Sequence, residues 1–262
     1  MALIYPKSII GNGITKLNNP KTVAILTFMR HGHKDDVGSL THIGHQQAKN
    51  RGIHTNNLGD NIILFHSGVE RVRNTVRTMA AHLHLSTEQT ETYELDEHIL
   101  DYVVPSLHYL INPHAKSTYF SNWDKIDHTP ENIEKRIEYF LSNEKSTEPN
   151  EHYGPLDMAK NIAKIIDTEI RFATLTDVNH RVNFVNGSHE PVLTSFIYYF
   201  LNDYKSNGPN TISDIGGTVD FAESFDIIVN HIINNDYEIE LQFRNYTKKL
   251  DLESLRRFIT ID

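Results

Sequence analysis

Residues 23–29 form an unbroken run, Val-Ala-Ile-Leu-Thr-Phe-Met. Apolar and β-branched side chains without alternation predict a strand covered on both faces, as in a parallel sheet. The run stops at a polar cluster, residues 30–36. Thr41 then precedes Ile43, Ala48 and Ile53 with no proline through residue 57, which predicts a helix of about four turns capped by the Thr41 hydroxyl. Residues 61–65 repeat the strand pattern. Residues 69–85 repeat the helix pattern, with Val69, Val72, Val76, Met79, Ala80 and Leu83 on one face. This β-α-β-α alternation implies a parallel sheet with right-handed crossovers.

The remainder is less regular. Residues 91–95 suit a third strand, while residues 99–130, which hold the single tryptophan Trp123, read as an irregular insertion over the sheet. Helices are predicted over 130–143 and 155–175, each with a proline near its start, where a missing N–H costs nothing. Residues 182–185 suit a strand and 189–201 a helix. Strands over 226–232 and 237–243 are joined by Asn234-Asn235-Asp236, a hairpin-turn composition. The expectation is one α/β domain over residues 1–262: a three-layer sandwich, with helices on both faces of a mostly parallel central sheet. Residues 98–180 are expected to form a cap that shapes a substrate pocket.

Composition narrows the function. The 262 residues carry 25 Lys and Arg against 34 Asp and Glu, a formal charge of −9, and no cysteine. A disulfide scaffold, a thiolate metal site and a cysteine nucleophile are excluded. No long basic cluster is present to favour a phosphate backbone, so no nucleic-acid partner is expected. The longest apolar stretch, 192–201, is well short of the ~18 to 20 residues that span a bilayer, and no membrane partner is expected. Residues 1–16 lack the charged and apolar regions of a secretory signal, which makes a cytoplasmic location the expectation. Sixteen histidines raise both a metal site and a catalytic imidazole. His31 with His33, His42 with His45, and His82 with His84 have chelating spacings. No recognisable acidic ligand set accompanies them, so neither a metal nor another cofactor is expected.

Three segments place cationic or imidazole side chains where strands give way to loops or helices, the edge at which open α/β sheets bind ligands. They are Arg30-His31-Gly32-His33, then His66-Ser67-Gly68-Val69-Glu70-Arg71, then Asn186-Gly187-Ser188-His189-Glu190. The helix starts offer free N–H groups and the positive end of a dipole. Arg30 and Arg71 add planar forks matched to phosphate oxygens. A neutral imidazole can attack phosphorus, and a second imidazole, if protonated, can hold transition-state charge. The set suits phosphoryl transfer without a metal.

These residues resemble the histidine phosphatase superfamily, also called phosphoglycerate-mutase-like. The Arg-His-Gly triplet at 30–32 follows an apolar strand. Leu40-Thr41-His42-Ile43-Gly44-His45-Gln46-Gln47-Ala48 is similar to the family's Leu-Thr-x-x-Gly-x-x-Gln-Ala helix start. Ser67, Arg71 and Thr75 stand at the spacing of its Ser-Pro-Leu-x-Arg-Ala-x-x-Thr run, and Ser188-His189 follows a later strand. The resemblance implies that His31 is the nucleophile that becomes phosphorylated, that Arg30 and Arg71 grip the phosphoryl oxygens, and that His189 completes the pocket. It also implies a general acid in a Leu-x-Glu segment, matched by Leu95-Asp96-Glu97.

The sequence departs from that pattern in three places. Gly68 replaces the proline. Val37 stands where an asparagine is often found, which leaves Lys34 and His33 as candidate phosphate contacts. Glu190 follows His189 where the acid-phosphatase branch has an aspartate as proton donor, so the donor is open between Glu97 and Glu190, with Glu97 favoured on position. The expected function is phosphomonoester hydrolysis through a phosphohistidine, with a small-molecule phosphate ester as substrate and a phosphoprotein left open. The alternatives are a phosphoglycerate-mutase-like phosphotransferase and a non-catalytic phosphate-binding or interaction domain.

Overall fold

A computed structural model describes residues 21–55, 61–83, 101–107, 135, 141, 154–175, 182–201, 213, 216–232 and 236–260. In chain order they form β1 (Lys21–Arg30), α1 (His42–His54), β2 (Asn61–His66), α2 (Glu70–Ala81) and β3 (Asp101–Val103), then a 3-10 turn at Pro105–Leu107. There follow α3 (Pro155–Leu175), β4 (Val182–Ser188), α4 (Glu190–Leu201), β5 (Ser224–His231), β6 (Tyr237–Phe243), β7 (Tyr246–Lys249) and α5 (Leu252–Thr260).

The strands make one seven-stranded sheet in the order β3-β2-β4-β1-β5-β6-β7. The pairs β3-β2, β2-β4 and β4-β1 are parallel, whereas β1-β5, β5-β6 and β6-β7 are antiparallel. The sheet is therefore mixed, and the expectation of a mostly parallel one is corrected. The physical reason is in the connections: five residues (232–236) separate β5 from β6 and two (244–245) separate β6 from β7, too few for the crossover that a parallel pair requires.

The two faces of β1 and β4 enter different cores. Ala24, Leu26, Phe28, Val182 and Phe184 pack with residues of α3, α4 and α5, while Met29 and Val185 pack with Val76, Met79 and Ala80 of α2. Strand residues alternate faces, so a strand covered on both sides must be apolar throughout. On the larger side Phe28, Phe225, Phe196 and Phe200 form a chain of stacked rings with centroids 5.0, 5.2 and 4.1 Å apart.

The expected third strand at 91–95 lies outside the described residues, as does the 130–143 helix apart from Lys135 and Leu141. Two parts of the 98–180 stretch differ from expectation. Asp101–Val103 is a strand paired with β2, and Asp101 is fixed there by Arg73 (2.8 Å) and Arg77 (2.9 Å) of α2. Helix α3 contributes Met158, Ile162, Ile166 and Ile170 to the main core, and Leu107 is buried with them. Its apolar face is a wall of the domain.

Candidate active site

The strand register builds the site. Arg30 of β1 pairs with Ser188 of β4, and His66 of β2 pairs with Gly187. The three motif segments therefore leave the sheet at one level on one edge. The amide of His31 donates to the Ser188 carbonyl at 3.2 Å. The rings of His31 and His189 meet edge to face with centroids 5.4 Å apart.

His31 is 5% exposed. Its Nδ1 lies 2.8 Å from the Gly32 carbonyl oxygen. A carbonyl only accepts, so Nδ1 carries the hydrogen and Nε2 keeps the lone pair. Burial, together with the positive charges of Arg71, Arg30 and Lys34, pushes the imidazole pKa down to about 4 against the opposing effect of the Gly32 bond. The ring is consequently neutral across the physiological range.

Backbone packing fixes where this ring sits. A Cβ on Gly32 would fall 2.5 Å from the Gly44 carbonyl oxygen and 2.8 Å from its Cα, so only glycine lets the end of β1 lie against the start of α1. That start is built as expected: the Thr41 side chain accepts from the Gly44 amide at 3.2 Å and caps the helix. The Gly32 amide donates to Thr75 Oγ1 at 3.1 Å, and the same hydroxyl donates to the Arg71 carbonyl at 2.7 Å. Thr75 thereby ties the residue after His31 to the helix that carries Arg71.

Arg30 is largely buried. Its Nη1 donates to the Val219 carbonyl at 2.7 Å, its Nη2 pairs with Glu190 at 3.2 Å, and its guanidinium carbon lies 4.0 Å over the Phe221 ring. Burial pushes its pKa below the usual arginine range, while Glu190, Asp220 and Glu223 act the other way. Its Nε–H is buried with no hydrogen-bond partner among the described residues, which leaves a donor for an anion. Arg71 reaches the Gly38 carbonyl with Nη1 at 3.4 Å, so the turn at 35–38 lies beside it. His189 is buried, and its Nε2 and the Ser67 hydroxyl are within hydrogen-bond reach at 3.0 Å.

The structure thus brings together Arg30, His31, Arg71, His189 and Glu190, with Lys34 exposed at the rim. The His33 amide donates to Gln47 at 2.8 Å, and its ring meets Phe221 edge to face at 5.5 Å. Glu97 lies outside the described residues. The substitution of Gly68 for proline has a structural consequence: φ is +85° there, a region closed to proline, and the Gly68 amide donates to His66 Nδ1 at 3.1 Å. Phe221 packs against Arg30, His31 and His33, and the motifs did not indicate it. No metal-binding group of three or more His, Cys, Asp or Glu occurs among the described residues. No helix among them is long and apolar enough to cross a membrane.

No protein-family model matches the chain, and no curated protein matches it by sequence. Solved structures do. A mycobacterial glucosyl-3-phosphoglycerate phosphatase complexed with VO3 is 14% identical, with 84% of this chain and 98% of that chain covered and a TM-score of 0.47. The alpha-ribazole phosphatase from Shigella flexneri is 17% identical, with 85% and 96% covered and a TM-score of 0.46. A phosphoglycerate mutase from Bacillus anthracis str. Sterne is 13% identical, with 91% and 98% covered and a TM-score of 0.47. At such values the chemistry has to be read from the site's own geometry. These neighbours are two phosphatases and a mutase, and the superfamily that the chain's strand-end motifs resemble is the phosphoglycerate-mutase-like histidine phosphatases.

Proposed function

We propose that the protein hydrolyses phosphate monoesters through a phosphohistidine formed on His31 Nε2. The observation that carries this reading is the buried, neutral His31 ring, with Nδ1–H held by the Gly32 carbonyl and three cationic side chains around it. A lone pair kept unprotonated beside an anion-attracting cradle is what in-line attack on phosphorus needs.

In the first step Nε2 forms a bond to phosphorus as the ester P–O bond breaks, and the leaving oxygen takes a proton from a carboxyl group. Attack makes the imidazole cationic, and the Gly32 carbonyl facing Nδ1–H offsets that charge. Arg30, through its unpaired Nε–H, and Arg71 hold the phosphoryl oxygens, with Lys34 and His33 contributing from the rim. His189 faces the transferring group from the other side. In the second step water attacks phosphorus, the carboxylate takes the water's proton, and the N–P electrons return to Nε2.

Glu97 is the proton donor of this scheme. Glu190 is already committed to Arg30 at 3.2 Å, which suits it to holding the guanidinium in place. On this reading the substrate is a small phosphate ester, the domain is a three-layer sandwich and its location is the cytoplasm.

Hydrolysis of an aryl phosphate tests the proposal. The expected result is activity in the wild-type chain and none above background in His31→Ala with an unchanged melting temperature. Full activity in that variant overturns the nucleophile, and phosphate binding without turnover of any ester overturns the enzyme.

A further inference from the structure

Arg244 lies in the turn between β6 and β7, remote in sequence from every motif, and adopts a positive φ of 53°. Its Nε and Nη2 donate to the two carboxylate oxygens of Glu223 at 2.7 and 2.8 Å, a bidentate fork. The remaining donors reach the carbonyls of Gly216, of Gly217 at 3.3 Å and of Thr218 at 2.7 Å. One side chain therefore gathers both ends of the 216–223 segment.

That segment is the wall against Arg30. Val219 supplies the carbonyl that accepts from Arg30 Nη1, and Phe221 supplies the ring under its guanidinium. The Ala222 amide donates to the His31 carbonyl at 3.3 Å, and the Arg30 amide donates to the Glu223 carbonyl at 2.9 Å. Glu223 is also a negative charge near enough to act on Arg30. Glu223 Oε2 also accepts from the Asp220 amide at 2.8 Å, but that neutral donor leaves the carboxylate's charge uncompensated, and without Arg244 it would compete with an incoming phosphate for the same guanidinium.

We propose that Arg244 is a positioning residue for anion binding at Arg30: by pairing with Glu223 it keeps that carboxylate engaged away from the phosphate. This rests on the reading of Arg30 as a phosphate ligand, but not on turnover.

The test is calorimetric titration of the full chain with inorganic phosphate, with melting temperatures recorded for each variant. Arg244→Met is expected to weaken phosphate about five- to tenfold, the scale of one uncompensated, partly buried charge at close range. The double variant Arg244→Met with Glu223→Gln is expected to recover to within about twofold of wild type, because the competing charge is gone. A purely structural latch would not be rescued by removing Glu223. Wild-type affinity in Arg244→Met, or a double variant no better than the single, overturns the proposal. Glu223→Gln alone leaves Arg244 on its three carbonyls and is expected to bind phosphate at least as tightly as wild type. Weaker binding in that variant also overturns the proposal, even if Arg244→Met does not fold. The expected pattern in a chain that hydrolyses no ester would refute the hydrolase and leave the role of Arg244 standing.

Discussion

The depressed basicity of His31 makes stability depend on pH in a calculable way. In the unfolded chain an imidazole binds its proton near the ordinary value of 6.5, whereas in the folded chain it does so only at about 4. Between those values the unfolded state binds more protons, so stability is intact above pH 6.5 and falls as pH falls through the window. The difference corresponds to about 3 kcal/mol once pH is well below 4. Most of it is already lost at pH 4.5. Urea unfolding at pH 7.5 and 4.5, compared between wild type and His31→Gln, isolates the contribution because the other titrating groups are shared. The wild type is expected to lose on the order of 2 to 3 kcal/mol more than the variant over that interval. Equal losses in the two proteins would refute the argument that a neutral, buried ring stands at position 31.

Other substitutions probe the geometry around that ring. Gly32→Ala is expected to destabilise the fold by about 1–3 kcal/mol, because its Cβ meets backbone atoms of Gly44 that cannot swing aside; thermal unfolding measures it. Gly68→Pro, although it installs the residue that the resembled family uses, is expected to cost about 1–3 kcal/mol and most of the activity. It forces φ away from +85° and removes the amide that donates to His66, and a stable, fully active variant would show that this turn is dispensable. Glu97→Gln is expected to slow alkyl phosphates more than aryl phosphates with good leaving groups, by about 10²- to 10⁴-fold for the former. Glu190→Gln is expected to raise KM for both alike, and the opposite pattern in the two variants would exchange their roles.

The parallel half of the sheet was legible because burial on both faces leaves an apolar run, as in residues 23–29. Helices α1 and α2 announced themselves by a cap and a face. The antiparallel half was read only as a hairpin. Strand β7, Tyr-Thr-Lys-Lys, is exposed at the sheet edge and carries no apolar pattern. Strand β3 is three residues long and is held by pairing and by two arginines, neither of which periodicity reveals. Helix α5 carries a start signal and a short apolar face: Asp251 accepts from the Ser254 amide at 2.9 Å, and Leu255 and Phe258 are buried three residues apart. At the site, the ionisable residues stood out by type and spacing. The Gly32 and Val219 carbonyls did not, since every residue has one, and Phe221 looks like any core aromatic until the fold sets it against Arg30.

The central claim is a covalent bond at one nitrogen. Rapid quenching of the enzyme with a phosphorus-labelled ester, followed by peptide mapping under alkaline conditions that preserve phosphohistidine, tests it most directly. The account predicts acid-labile label on His31, attached at Nε2, and none on any peptide of His31→Ala. Label on a different residue, or unlabelled protein throughout rapid single-turnover hydrolysis with acid-labile adducts preserved, would contradict it.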